Sequence, residues 1–250
     1  MLTNERHAII LSLLAEKQTV KIQELVEATS TSESTIRRDL NDLEDLNKLE
    51  RIHGGATIKE RITKELSISD KSSKNLQEKI RLAKYAASFI EQGDCIFLDA
   101  GTTTLQMIPY LKHKEVIVVT NGLTHVDALV EHGIETYLTG GYVKSKTRAL
   151  VGSQTIQSLQ DYRFDSCFLG VNGFDLEYGY TTPDPEEAAV KRLASTLARK
   201  TYVVADHSKY NKVSFSNIMA LDQAVLIVSD FGPQAIELLK KKTTVKVEMT

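Results

Sequence analysis

Residues 32–56 read SESTIRRDLNDLEDLNKLERIHGGA, and this stretch decides the character of the amino-terminal part of the chain. Ile36, Leu40, Leu43 and Leu46 recur at intervals of four and three, which predicts a helix over Ser32 to Leu46 with one apolar stripe turned inward. Ser32 is a start signal for that helix, and Ser30 with Glu33 three residues on offers a competing capping box. The stripe leaves Ser34, Thr35, Arg37, Arg38 and Asn41 on exposed surfaces. After Lys48 the pattern changes to the short alternating segment LERIHGGA, whose Gly54 and Gly55 suit the turn of a hairpin.

Working upstream, residues 4–17 place Ile9, Ile10, Leu13 and Leu14 on one helical face. A short break at QTVKI precedes a second helix carrying Ile22, Leu25 and Val26. Three helices followed by a hairpin make a winged helix-turn-helix, whose third helix enters the major groove of double-stranded DNA. Thr35 and Ser34 can then reach base edges or phosphates, and Arg37 and Arg38 offer rigid forks for a phosphate or for guanine. Arg51 and His53 in the wing can reach an adjacent groove or backbone. The competing reading is an ordinary helical hairpin in which Arg37 and Arg38 pair with Asp39, Asp42 or Glu44.

Charge bears on that choice. The 250-residue chain carries 31 Lys and Arg against 33 Asp and Glu, and residues 1–60 hold eight bases and eleven acids. No bulk basic domain is available, so DNA binding rests on where a few cations point, and a homodimer presenting two patches to two half-sites is expected. Composition otherwise describes a folded protein, with 42% hydrophobic and 26% charged residues. No apolar stretch is long enough to span a bilayer, and the amino terminus lacks a signal-peptide pattern, so a cytoplasmic protein is expected. Cys95 and Cys167 lie beside apolar runs, away from other metal-ligand residues, and read as reduced core residues with no metal site.

Downstream of the hairpin, residues 57–75 are polar and charged and read as a linker, part helical in KERITKEL. From residue 76 to 250 short apolar runs alternate with helical stretches: CIFLD, VIVVT, TYLTG, SCFLG, TYVVAD and AVLIVSD are the strand candidates. This is the pattern of an α/β domain with a largely parallel sheet covered on both faces. Asp99, Thr120 with Asn121, Gly140 with Gly141, Gly170 and Asp206 stand where the runs stop, which is where open α/β sheets expose ligand crevices.

DAGTTT at 99–104 is the chemically richest of these ends. Gly101 permits a close turn, and successive amides and the hydroxyls of Thr102, Thr103 and Thr104 can donate to phosphate oxygens at a helix start. Simple helix capping is the alternative, and a nucleotide P-loop is disfavoured because no Gly-Lys-Ser/Thr follows. Asp99, Asn121 and Asp206 can bond sugar hydroxyls. Lys191 and Lys209 supply positive charge, and Gly140, Gly141 and Gly170 allow close backbone approach. Glu187 and Lys191, four residues apart, also suit a local surface pair.

TIRRDLNDLEDLNKLERIHGGA at 35–56 resembles the amino-terminal signature of the DeoR family of bacterial repressors. The likeness continues through FLDAGTTT, VVTNGLTHVDAL, LTGG, FLGVNG, EEAAVKR and VVADHSK, so it covers nearly the whole chain. It implies a winged-helix DNA-binding domain followed by a sugar-phosphate-sensing domain whose fold is like that of ribose-phosphate isomerases. It also implies Thr35, Arg37 and Arg38 as contacts of the recognition helix and His53 as part of the wing motif. SDKSSKNLQEKI, LTHVDALVEHGIETYLTGG and YGYTTPDPEEAAVKR are similar to the members that govern fructose operons in Gram-positive bacteria, which implies fructose 1-phosphate as the effector that releases operator DNA. No cofactor is expected. Asp42, Glu44 and Asp45 depart from the basic helix usual in the family and weaken non-specific attraction to the DNA backbone. The alternatives are a sugar-phosphate isomerase or hydrolase using Asp99, Glu187, Lys191 and Lys209, and an activator or architectural protein with the same DNA module.

Overall fold

A computed structural model describes residues 1–17, 19–46, 48–52, 54–57 and 62–249. These form two compact units that divide between residues 61 and 62.

The first unit runs α1 (Thr3–Lys17), β1 (Thr19–Lys21), α2 (Ile22–Thr29), α3 (Glu33–Asp45), β2 (Glu50–Ile52) and β3 (Gly55–Thr57). Ile10, Leu14, Leu25, Ile36, Leu40, Leu43 and Leu49 are buried together, so the apolar stripe of α3 is the back on which the other helices rest. Ser32 caps α3, its Oγ accepting from Thr35 N at 3.3 Å, while Ser30 sits in the left-handed region at φ 51° and closes α2. Leu46 departs from the expected stripe: it is 62% exposed, because the helix stops at Asp45 and Leu49 takes the inward place.

The segment QTVKI, expected as a break, contains β1, which pairs antiparallel with β3 and completes a three-stranded sheet of order β1-β3-β2. A strand of three residues is too short to show a period of two. The hairpin turns through Gly54 at φ +80°. A Cβ on Gly55 would lie 2.2 Å from the Val20 carbonyl oxygen, so the second glycine is required by the close seat of the wing on β1.

The second unit begins at Ile62. Its elements are α4 (Ile68–Ser73), α5 (Leu76–Ala87), β4 (Cys95–Leu98), α6 (Thr102–Leu105), β5 (Ile117–Thr120), α7 (Leu123–Glu131), β6 (Glu135–Leu138), β7 (Tyr142–Val143), β8 (Leu150–Val151), α8 (Ser153–Gln160), β9 (Phe164–Leu169), β10 (Gly173–Asp175), β11 (Gly179–Thr182), α9 (Pro185–Thr196), β12 (Ala198–Ala205), β13 (Ser216–Met219), β14 (Val225–Ser229), α10 (Pro233–Lys240) and β15 (Val245–Glu248). Seven strands form one sheet in the order β15-β14-β12-β9-β4-β5-β6, every pair parallel.

Alternation along the strands divides the core. Phe97, Cys167, Leu169, Val203 and Ala205 pack on one face with α8, α9 and α10, whereas Ile96, Leu98, Phe168, Tyr202 and Val204 pack on the other with α5 and α7. Both faces are covered, which is why the strands read as continuous apolar runs. From β4 the chain adds β5 and β6 on one side and then returns to place β9 on the other, so the order reverses between β4 and β9. Crevices for ligands open at the carboxyl ends of strands at such a switch.

Residues 62–75, expected within a linker, belong to this unit. Ile68 N donates to the Lys146 carbonyl at 2.9 Å, and Ser67 and Asp70 cap α4 in a reciprocal box. The helix thus falls after the segment KERITKEL, whose described part is not helical. Among the described residues no helix is long and apolar enough to cross a membrane. Cys95 and Cys167 are both free thiols, and burial pushes the Cys167 thiol well above its usual pKa.

Candidate functional site

Two surfaces carry the functional chemistry, one in each unit. In the first, α3 presents Ser34, Thr35, Arg37 and Arg38 outward while Ile36, Leu40 and Leu43 are buried. Asp39, the acid expected as a rival partner for the arginines, is turned inward instead. It takes a bidentate pair from Arg6 of α1, at 2.7 and 2.9 Å, and both side chains are nearly fully buried. Burial alone would raise the Asp39 carboxyl, but Arg6 overcomes it and holds the group below its usual range. Arg37 makes an i,i+4 pair with Glu33 at 2.6 Å, and Arg38 has no ion pair among the described residues. Arg51 bonds Asn41 Oδ1, and its amide donates to Glu44 Oε1 at 2.7 Å, so one of the acids that interrupts the basic face ties the wing to α3. His53 lies outside the described residues.

The second surface is a pocket at the β4/β9 switch. Asp99 follows β4 and Gly170 follows β9; Gly170 N donates to Asp99 Oδ2 at 3.1 Å, bridging the reversal. Lys191, from the inner face of α9, donates to the same carboxylate oxygen. Glu187 and Lys191 therefore do not form the expected local surface pair. Both are buried, and Glu187 accepts instead from Thr147 Oγ1 at 2.8 Å and Lys144 Nζ at 3.0 Å. Burial pushes Glu187 up, but the charges of Lys191 and Lys144 bring it below the usual carboxylate range.

Asp206, at the end of β12, accepts from Asn75 Nδ2 at 2.9 Å and Ser208 N at 3.1 Å. Burial would raise it, yet the Lys209 charge and those bonds hold it low. Lys79 reaches Thr102 Oγ1 at 3.2 Å and the Lys71 carbonyl. Burial lowers its pKa to about 8 despite the Asp206 charge, and burial lowers Lys71 as well. Lys71, Lys74, Lys79, Lys191 and Lys209 line the pocket with Asp99, Glu187 and Asp206, giving five cations against three anions. The excess matches a phosphate monoester, which carries about −1.5 to −2 at neutral pH.

Of the residues expected at this site, Asp99, Gly101, Thr102, Thr103, Gly170, Lys191, Asp206 and Lys209 come together in the pocket wall. Four others serve the scaffold. Thr104 Oγ1 is spent inside its own turn, donating to the Asp99 carbonyl at 2.6 Å and sharing a bond of 3.2 Å with His125 Nε2. Asn121 Oδ1 accepts from Ala100 N at 3.0 Å and its amide donates to the Leu150 carbonyl, so it fixes the β4 turn from behind. Gly140 and Gly141 seat the β6–β7 turn on α8: Thr155 Oγ1 donates to the Gly140 carbonyl at 2.6 Å, and a Cβ at Gly141, φ +125°, would lie 2.0 Å from that hydroxyl. The helix that opens within DAGTTT, α6, is a single turn, and the leading amides of Thr102 and Thr103 have no acceptor within it.

Sequence reading missed Lys71, Lys74, Asn75, Lys79 and Thr147 because the first four sit in or just after the stretch taken for a linker. The lysine density of SDKSSKNLQEK at 69–79 was the available signal. It also missed His125, fully buried beneath the 99–104 turn, whose burial lowers its pKa to about 4 and keeps it neutral.

The family models divide the chain as the two units do. The family described as DeoR-like helix-turn-helix domain matches residues 6–62, and the DeoR C terminal sensor domain matches residues 74–231. The uncharacterized HTH-type transcriptional regulator FruR of Bacillus subtilis (strain 168) is 48% identical over 248 residues, covering 99% of both chains. A putative aga operon transcriptional repressor of Escherichia coli O157:H7 is 37% identical, over 94% of this chain and 89% of its own. Among solved structures, ribose 5 phosphate isomerase A from Neisseria gonorrhoeae is 17% identical, aligned over 55% of this chain and 54% of its own with a TM-score of 0.41.

Proposed function

Since the chain belongs to the DeoR family of helix-turn-helix transcription regulators, we propose that it represses a sugar-utilisation operon and leaves its operator when a phosphorylated ketose enters the pocket of the second unit. The observation that carries the reading is the five-to-three excess of lysines over carboxylates at the strand switch, which suits a phosphate dianion beside acids and amides able to bond sugar hydroxyls. Fructose 1-phosphate is the first candidate, supported by the identity with FruR. Its phosphate meets Lys71, Lys79 and Lys191 with the Thr102 and Thr103 amides, while Asp206 and Asn75 face the sugar.

A homodimer completes the DNA half of the account. With eight bases and eleven acids in residues 1–60, one copy attracts a duplex weakly, and two copies on paired half-sites multiply the effect of Arg37 and Arg38. A ligand shifts DNA binding only through different affinity for the two conformations, so both equilibria must be measured. Thermal shift with fructose 1-phosphate, fructose 6-phosphate and inorganic phosphate tests the pocket. A rise in Tm with a ketose phosphate larger than that with inorganic phosphate is expected. Equal Tm with and without every sugar phosphate would reject the reading.

A further inference from the structure

Glu187 has a cationic partner that is not part of the pocket wall. Lys144, in the turn between β7 and β8, is 12% exposed at its side chain, and its Nζ lies 2.6 Å from Asp184 Oδ2, 3.0 Å from Glu187 Oε1 and 3.2 Å from Glu65 Oε2. One ammonium thus gathers three carboxylates, and these raise its pKa against the lowering effect of burial. Asp184 and Glu187 belong to the start of α9, whereas Glu65 belongs to the stretch of chain that follows the DNA-binding unit. Three further bonds pin the same stretch: Phe215 N donates to the Ile62 carbonyl at 2.9 Å, Ile68 N to the Lys146 carbonyl at 2.9 Å, and Lys79 Nζ to the Lys71 carbonyl.

We infer that Lys144 is the positioning residue through which pocket occupancy reaches the DNA-binding unit, by latching Glu65 when the pocket is empty and releasing it when an anion binds. The inference rests on the sugar-phosphate reading above. Its physical basis is charge balance. Three carboxylates on one ammonium leave two negative charges, eased by Lys71, on which Glu187 and Glu65 both act, and in part by Lys191, whose charge acts on Glu187 while its ion pair is with Asp99. A phosphate dianion takes Lys71 and Lys191 as its own counter-ions, and repulsion among the three carboxylates rises. Asp184 is held by the amides of Glu186 and Glu187, and Glu187 by Thr147. Among the described residues Glu65 hydrogen-bonds Lys144 alone, so it is the carboxylate that leaves.

The pocket wall includes the latched stretch itself. Leu66, Ile68 and Lys71 are the part of that wall carried by the latched stretch.

The test uses the full chain, a DNA fragment selected by the wild-type protein from a random-sequence pool, and fructose 1-phosphate with inorganic phosphate as control. Glu65→Gln is expected to weaken sugar-free DNA binding about fivefold or more and to tighten fructose 1-phosphate by a similar factor, because coupling between two ligands is reciprocal. Lys144→Gln should act in the same direction, and Glu65→Asp should restore part of the wild-type ratio. A merely structural role would lower Tm and weaken both ligands together, which would overturn the proposal, as would Glu65→Gln and Lys144→Gln variants with wild-type affinity for both. If no sugar phosphate shifts the wild type, the effector reading fails separately. The sugar-free DNA affinity of Glu65→Gln then decides the latch: a fall at unchanged Tm supports it, and no change rejects it.

Discussion

The recognition helix and the effector pocket use cations in opposite ways. Arg37 and Arg38 stand in solvent, one already paired with Glu33, and the exposed acids Asp42, Glu44 and Asp45 of α3 dilute their field. Lys71, Lys79 and Lys191 are drawn out of water among carboxylates, and the pKa of Lys71 and of Lys79 falls through burial. Exposed charges are screened by salt and gain from repetition, which is why the proposed reading of the DNA side invokes two copies. Enclosed charges act strongly at a single site but must be compensated, and in the pocket five lysines face three carboxylates. On the proposed reading a small anion at that site competes with a long polyanion.

Breaking the enclosed side should have the largest effect. Lys191→Met leaves Asp99 buried with the Gly170 amide as its remaining polar partner at that oxygen, and a loss of about 3–5 kcal/mol is expected. Denaturant unfolding reads it; a loss below about 1 kcal/mol would mean that the pair does not hold the strand switch together. The exposed side comes next. Arg38→Ala should cost about tenfold in operator affinity, and Arg37→Ala less, because Glu33 already occupies it. Both should leave the sugar-phosphate thermal shift unchanged, and equal DNA affinity for both variants and wild type would remove α3 from the interface.

Gly101→Val sharpens the boundary between the two halves. A Cβ there lies 3.0 Å from Thr104 Oγ1 and 3.7 Å from Asp99 Oδ2, so the added side chain crowds the turn facing the ligand. Weaker sugar-phosphate binding with operator affinity retained is expected, and normal ligand-dependent release would take the turn out of the site. The smallest effect is in pH. Lys79, lowered by burial to about 8, loses its proton in the folded protein before the unfolded one does. Between that value and the ordinary lysine range the empty protein gains stability as pH rises, while anion binding, which needs the charged form, weakens by at most about tenfold per pH unit. Calorimetry between about pH 7 and 9 reads this, and Lys79→Gln should flatten the profile.

Both regions were legible in the sequence to different depths. The stripe Ile36, Leu40, Leu43 fixed the outward face of α3, since a 3.6-residue period leaves no other place for Arg37 and Arg38. The inward turn of Asp39 was not visible, because its partner Arg6 lies 33 residues away. In the second unit, the strand ends at Asp99, Gly170 and Asp206 were readable from where apolar runs stop. The division of labour among them was not: Thr104 and Asn121 look like ligand groups by residue type, and only tertiary neighbours show them spent on the turn. Residues 62–75 were misread because α4 is a six-residue helix without a buried residue, held by caps and by Lys146, so no apolar period marks it.

The most direct test is operator occupancy followed by fluorescence anisotropy while fructose 1-phosphate is titrated, at fixed ionic strength. Release of the DNA by fructose 1-phosphate is expected at concentrations where inorganic phosphate has no effect, with release lost in Gly101→Val. Unchanged occupancy at concentrations of the sugar phosphate that saturate the thermal shift would contradict it.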